Sequence, residues 1–382
     1  LIYLDNNATT RLDPRVLERM MPLLSEHWGN AGSGHSVGRP VRKLVAEARR
    51  DMGALLDVAP EEIVITGSGT EADNLAIRGV VSKAKAPRHL ICSAVEHPAV
   101  LETCRALERE GLCALSVVPV DGDGRIDLEA METALRPGET CLVSVMWTNN
   151  ETGVIHPIEA IGQLAHAAGA RFHVDAVQSV GKLPLELDRV AIDLLSMSAH
   201  KFHGPKGVGA LIVRKGVELA PAVTGGGQER GRRSGTENPA GIVGLAAALE
   251  FAIESRESAA RRMTELREGL ERALIERVQD LRITGTAAPR VCNTTHFTVP
   301  KVEAEAVLIA LDRDGIACSS GSACSTGALE PSHVLLAMGV AKDRLHGALR
   351  LSLSRETTPE EMDEAAEKLV ATVGRLKGLA EA

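Results

Sequence analysis

Aromatic side chains are scarce in this sequence: two Trp, one Tyr and four Phe make up only 2% of its 382 residues, although hydrophobic residues reach 44%. A core of this size must therefore be packed from Ala, Val, Leu and Ile. No apolar run approaches the ~18 residues of a membrane-spanning helix, so no membrane partner is expected. Positive charge is not in excess. The formal net charge of -8 argues against a nucleic-acid surface. The seven cysteines contain no C-x2-C pair, which gives neither a disulfide framework nor a zinc site. Several unpaired thiols suit a reducing, cytoplasmic setting. The opening LIYLDNNATT carries no basic region or cleavage site, so no export signal is expected, and Leu1 in place of a methionine reads as a trimmed start.

What is present is alternation. Residues 63–66, 90–93, 117–120, 141–146, 171–175, 194–198 and 209–213 read as strands, and most are separated by helical patterns at 71–83, 97–110, 127–135 and 158–168. That order predicts an α/β fold with a mostly parallel sheet covered on both faces. Two amphipathic helices precede it, one opened by Asp13-Pro14 and one over 39–57. The pattern changes after Gly225. TGGGQERGRRSGTENPA reads as a long surface loop, and 240–281 as a connecting helix, long enough to be bent. Strands near 293–299 and 348–353, with helices near 303–311 and 360–376, suggest a smaller α+β unit. We expect a large domain over 13–255 and a small one over 256–382, joined by 1–12.

Three local patterns carry chemistry. GSGTEADN lies between a strand and a helix, where Gly67, Gly69 and the helix N-terminus suit an anion and Thr70 adds a hydroxyl. No GK[ST] follows, so it is not a Walker loop; a plain capped turn is the competing reading. Asp175 ends a predicted strand in FHVDAVQS, at the edge where open α/β sheets bind ligands. A carboxylate there can pair with a pyridinium nitrogen or cap the next segment. Gln178, three residues on, can donate to a cofactor's phenolate oxygen. Lys201 follows another strand in SMSAHKFHGPKG, a position suited to a Schiff base. Ser198 and His200 flank it as phosphate donors, and Lys206 is the rival lysine. His200 and His203 lack a nearby third ligand, so no metal site is expected.

A phosphate turn, an aspartate and a lysine 26 positions later recur in fold-type I pyridoxal-phosphate enzymes, the aspartate aminotransferase-like fold. The sequence resembles more narrowly the group I cysteine desulfurases, the NifS/IscS type. The resemblance runs along essentially the whole chain, through YLDNNATT, GSGTEADN, EHPAV, NNETGV, HVDAVQSVGK, SAHKFHGPKGVG, GGGQERGRRSGTEN, SSGSACSTGALEPSHVL and LRLSLSR. It implies pyridoxal 5'-phosphate held as a Schiff base on Lys201, with Asp175 on the ring nitrogen and Gln178 on the phenolate oxygen. His97 would stack on the ring and aid proton transfer. Gly69, Thr70, Ser198 and His200 would bind the phosphate, and Asn150 would lie near cofactor and substrate. Arg350 would clamp the substrate carboxylate, with Arg355 as an alternative. The family is homodimeric, and Thr236 would reach the partner subunit's cofactor.

The same resemblance selects Cys324 as nucleophile. Its loop, SSGSACSTG, contains only small residues besides the cysteine, whereas a structural cysteine normally sits among large apolar neighbours. Cys318 is expected to be structural, and Cys92, Cys104, Cys113, Cys141 and Cys292 to belong to the core. The implied reaction converts L-cysteine to L-alanine and leaves the sulfur as a persulfide on Cys324, for transfer to an acceptor such as an iron–sulfur scaffold protein. The chain stops at LKGLAEA, short of the tail through which some members contact such a scaffold, which argues against that mode of docking. The rival readings are another fold-type I enzyme, such as an aminotransferase or a selenocysteine lyase, and a non-catalytic sulfur carrier.

Overall fold

The computed structural model describes residues 1–187, 190–320 and 331–381. A two-residue strand β1 (Ile2–Tyr3) is followed by helices α1 (Pro14–Ser25) and α2 (Gly38–Leu56). Asp13 caps α1 by accepting from Arg15 N, and Pro14 occupies the first turn, where its missing N–H costs nothing. The alternating region then runs β2 (Ile63–Thr66), α3 (Gly69–Lys83), β3 (His89–Ser93), α4 (Pro98–Arg109), β4 (Ala114–Val118), α5 (Leu128–Ala134), β5 (Thr140–Met146), α6 (Ile158–Ala167), β6 (Arg171–Asp175), β7 (Leu194–Ser198) and β8 (Gly209–Val213).

These strands form one seven-stranded sheet in the order β2-β8-β7-β6-β5-β3-β4. Only β8 runs against the others. Its central strands are buried along their whole length, because helices cover both faces; that is why they read as unbroken apolar runs. Strand β4 differs from the expected 117–120. It is an edge strand with partly exposed residues, so its apolar signal is weak, and Pro119 cannot continue the ladder.

Helix α7 (Pro239–Arg277) is a single helix of 39 residues. Asn238 caps it by accepting from Gly241 N at 3.0 Å. Its first half, from Ala240 to Ala252, packs into the core beneath the large sheet. Its second half contributes Met263, Leu270 and Leu274 to a separate core, so one length of chain serves two cores. The second core is built around β9 (Arg282–Ile283), β10 (Thr294–Thr298), α8 (Ala304–Arg313), β11 (Ile316–Ala317), β12 (Ala348–Ser352) and α11 (Pro359–Glu381), while the short helices α9 (His333–Ala337) and α10 (Lys342–Leu345) pack in smaller clusters of their own. Ile2 and Leu4 also lie in this second core, and β1 pairs in parallel with β11. The chain then crosses to the large sheet, where Thr10 N donates to His200 O at 2.9 Å. Among the described residues, no helix is long and apolar enough to cross a membrane.

Candidate active site

The C-terminal ends of the parallel strands converge on one cavity of about 230 Å³, as expected where crossovers leave the edge of an open α/β sheet. Each wall comes from a different strand end. The β2–α3 junction supplies Ser68, Gly69 and Thr70, the β3–α4 junction His97, and the segment after β5 Asn150. Strand β6 and the turn beyond it supply Asp175 and Gln178, and β7 with its following turn supplies Ser198, His200 and Lys201. From the second core, β12 brings Arg350.

Lys201 reaches toward the N-terminal segment. Its Nζ donates to the main-chain oxygens of Asn7 at 2.6 Å and Ala8 at 2.8 Å. Asn7 is tied to both cores: its Nδ2 donates to Thr294 Oγ1 and Asn150 O, and its own N–H to Ser352 Oγ. Asn7 and Ala8 line the cavity, although nothing local in YLDNNATT announces that role. The rival Lys206 is exposed and does not line the cavity.

Asp175 is buried, and its Oδ1 accepts from Val177 N at 2.9 Å. The capping role and a ligand role are therefore compatible, because the carboxylate has a second oxygen. Burial raises its pKa to about 6, against the lowering effects of the Val177 hydrogen bond and Lys201. Asp73, missed from sequence, lines the same cavity from α3. Burial, then the neighbouring Asp175, pushes its pKa well above the usual carboxylate range. Behind the two acids, His173 lies between Ser144 Oγ (2.8 Å) and Ser196 Oγ (2.9 Å). Its burial lowers its pKa to about 3, so the ring is neutral.

A cup for an anion lies at the start of α3. A Cβ on Gly69 would meet Val177 Cγ2 at 2.8 Å and Ser198 Cβ at 3.3 Å, so only glycine lets the backbone sit this close to β7. The neighbouring Ser198 Oγ is buried without a hydrogen-bond partner, a costly state that a bound phosphate oxygen would relieve. Ser68 caps α3 by accepting from Glu71 N. Glu71 in turn pairs with Arg233 at 2.7 Å and accepts from Gly67 N. The cup is thus pinned to the Gly-rich loop that carries Thr236. Thr236 itself is exposed and is not part of its own chain's cavity.

His97 caps α4, its Nδ1 accepting from Ala99 N at 3.1 Å. That bond places the proton of the neutral ring on Nε2. Burial, followed by Lys201 and His333, lowers its pKa to about 4. Glu96, immediately before it, is fully buried and accepts from Ser93 Oγ (2.5 Å) and Met146 N (2.9 Å). Burial raises the pKa of Glu96 to about 8. His200 holds the N-terminal segment through Nδ1 and Thr9 Oγ1 at 3.1 Å. His203 is likewise committed to that segment, Nδ1 pairing with Arg11 O at 3.0 Å.

Arg350 is almost wholly buried. Its Nη1 donates to Asn150 O (3.0 Å) and its Nη2 to Asp5 (2.7 Å), while Nε is buried without a partner. The Asp5 contact was not foreseen. Arg355, the alternative clamp, is instead paired with Asp13 and faces a smaller cavity on the far side of Lys201. Cys318 lies near Asp5 and Arg350, and burial pushes its thiol up to about 12, which makes it a poor nucleophile. Cys92, Cys104 and Cys292 are buried, and Cys113 and Cys141 half-buried. Cys324 lies outside the described residues.

Residues 2–364 match the family "Aminotransferase class-V". A cysteine desulfurase of Trichormus azollae is 48% identical over 379 residues, covering 99% of this chain and 94% of that protein. One from Cereibacter sphaeroides is 49% identical, covering 99% and 97%. The chain belongs to the cysteine desulfurase family. A solved NifS-like protein superimposes with a TM-score of 0.92 at 39% identity, over 98% of this chain and 100% of that one. A second neighbour, SspA in complex with cysteine, has a TM-score of 0.82 at 33% identity, over 94% and 100%. The family is pyridoxal-phosphate dependent and uses a lysine Schiff base. The cavity suits that group: it brings together an unpartnered Ser198 Oγ, a glycine-only approach, a buried carboxylate and a lysine.

Proposed function

We propose that this chain is a cysteine desulfurase that converts L-cysteine to L-alanine and carries the sulfur as a persulfide on Cys324. The observation that carries the reading is the convergence of Gly69, Ser198, Asp175, Lys201 and Arg350 on one cavity. An aminotransferase would need the same lysine and aspartate; the cysteine-desulfurase relatives, matched over nearly the whole chain, favour the desulfurase over it.

In this reading Ser198, His200, Thr70 and the Gly69 backbone hold the phosphate, and Gln178 and Asn150 face the ring. When bound, the cofactor supplies an electron sink for the pair left on the substrate α-carbon. Asp175 keeps a proton at the ring nitrogen, and its ionised form suits that task above its pKa of about 6. Lys201 moves protons at the substrate α-carbon. His97, with its proton on Nε2, is placed to hand one on. Arg350 binds the carboxylate, with Nε as the donor still open. The Cys324 thiolate attacks the substrate sulfur. An S–S bond forms, the Cβ–S bond breaks, and its electron pair stays with the substrate carbon, which is then protonated. L-Cysteine and the Cys324 thiol thus become L-alanine and the Cys324 persulfide.

The division into a unit of 13–255 and one of 256–382 with 1–12 is supported by the two cores that α7 joins. A homodimer is supported by an unpartnered stripe of Leu17, Met21, Leu24 and Trp28 on and beyond α1, and by the position of Thr236 away from its own cavity. The sulfur acceptor we propose is a cytoplasmic protein such as an iron–sulfur scaffold. The test is to add L-cysteine to the purified protein and measure its visible spectrum, alanine and, with a thiol reductant, sulfide. Alanine and sulfide in equal amounts are expected; pyruvate and ammonia in place of alanine, or mercaptopyruvate with no sulfide, would overturn the reading.

A further inference from the structure

The motif HVDAVQSVGK ends in a lysine that the proposed chemistry does not use. Lys182 lies four residues beyond Gln178, in the turns that follow β6, and its Nζ donates to Gln178 Oε1 at 2.9 Å. On the other side of the same amide, Gln178 Nε2 donates to Asn7 O at 2.9 Å. Gln178 is buried and lines the large cavity. Lys182 lines a separate cavity of about 40 Å³, on the opposite side of Lys201. The amide is therefore gripped at both ends. An ammonium has no acceptor, so it must face the amide oxygen, and a carbonyl must face the amide nitrogen. The remaining Gln178 N–H is the amide's only free donor, and its carbonyl is turned away from the cavity.

We propose that Lys182 is a positioning residue that fixes the Gln178 amide so that its N–H, not its carbonyl, faces the cofactor's phenolate oxygen. This rests on the reading of the large cavity as a pyridoxal-phosphate site. Without Lys182, Gln178 Oε1 becomes a buried acceptor with no partner. The amide then gains by rotating, and a carbonyl against an anionic oxygen is repulsive. The ammonium enforces this orientation; a neutral amine can also accept, and there the Asn7 carbonyl still holds the amide nitrogen. Burial, aided by Lys201 and Arg350 and opposed by Cys292, lowers the Lys182 pKa to about 7, and a neutral amine still donates. The half-buried lysine is held by its hydrogen bond to Gln178.

The experiment follows the visible absorbance of the cofactor-loaded protein against pH. A donor to the phenolate stabilises the deprotonated form of the chromophore, so losing it raises the apparent pKa of the spectral transition. Lys182→Met should raise that pKa by ~0.5 unit or more, and Lys182→Arg, which keeps a donor, should stay near the wild-type value. Gln178→Leu should raise it at least as far, and adding Lys182→Met to Gln178→Leu should produce no further shift. No shift in Lys182→Met would overturn the proposal. An equal shift in the Gln178→Leu background would overturn it too, since Lys182 would then act through its charge alone. If Lys182→Met does not fold, Lys182→Leu, which also carries no donor, makes the same comparison. A wild-type protein with no visible chromophore would instead overturn the reading of the site beneath the proposal.

Discussion

Replacing Glu96 with Gln should change how stability depends on pH, in a direction fixed by the structure. Glu96 is fully buried with both oxygens hydrogen-bonded, and burial lifts its pKa from 4.5 to about 8. The folded chain therefore keeps this proton between roughly pH 4.5 and pH 8 while the unfolded chain releases it. Because the folded state binds more protons in that window, stability falls as pH rises through it. For these two values the loss between pH 5.5 and pH 8 is on the order of 3 kcal/mol. Glu96→Gln abolishes the proton exchange, keeps an acceptor for Met146 N–H and reverses the Ser93 contact, its NH2 donating to Ser93 Oγ. The other titrating groups are common to both proteins, so their difference isolates Glu96. Urea unfolding of the two should show the variant gaining on the wild type by about that amount from pH 5.5 to pH 8. A difference that stayed flat with pH would mean that Glu96 is ionised in the folded protein. Glu96→Ala, which strands both partners and opens a cavity, should cost about 2–5 kcal/mol. It should also loosen the junction that carries His97.

Borohydride reduction followed by peptide mapping should place the cofactor adduct on Lys201, and an adduct on Lys206 would contradict the assignment. Arg350→Lys loses the planar donor set and should raise KM for cysteine by about 10–100-fold with less effect on kcat, measured by alanine production. Mixing Lys201→Ala with Thr236→Ala should restore activity through heterodimers with one intact site, and no recovery after proven subunit exchange would count against a shared site. Leu24→Glu on the exposed apolar stripe should shift the protein toward monomer in sedimentation; an unchanged dimer would locate the interface elsewhere.

The large sheet was legible because its central strands are buried on both faces and read as short apolar runs between turns. Strand β4 lies a few residues earlier than expected because an edge strand with exposed side chains has no such run, whereas the connecting helix expected over 240–281 is α7 (Pro239–Arg277), its straightness left open in the sequence because its apolar face is shared between two cores. Lys201, Asp175, Ser198 and Gly69 could be nominated because each follows or precedes a recognisable strand. The N-terminal contacts could not. Asp5 and Arg350 are 345 positions apart, and Asn7 meets Lys201 across 194; no local pattern announces such pairs. Asp73 was overlooked because an acid in the first turns of a helix looks like ordinary dipole compensation. The Lys182–Gln178 contact, only four positions apart, lay within reach of sequence reasoning.

The most direct test of the central claim is where the substrate sulfur goes. The protein is mixed with one equivalent of L-cysteine, alkylated rapidly and mapped by mass spectrometry, beside Cys324→Ala and Cys318→Ala variants. The account predicts a persulfide on the peptide containing Cys324 and one alanine per site. It predicts almost no alanine from Cys324→Ala, although that variant keeps its cofactor, and near-normal turnover from Cys318→Ala, whose thiol is pushed up to about 12. Normal turnover by Cys324→Ala, or extra sulfur found only on Cys318, would contradict it.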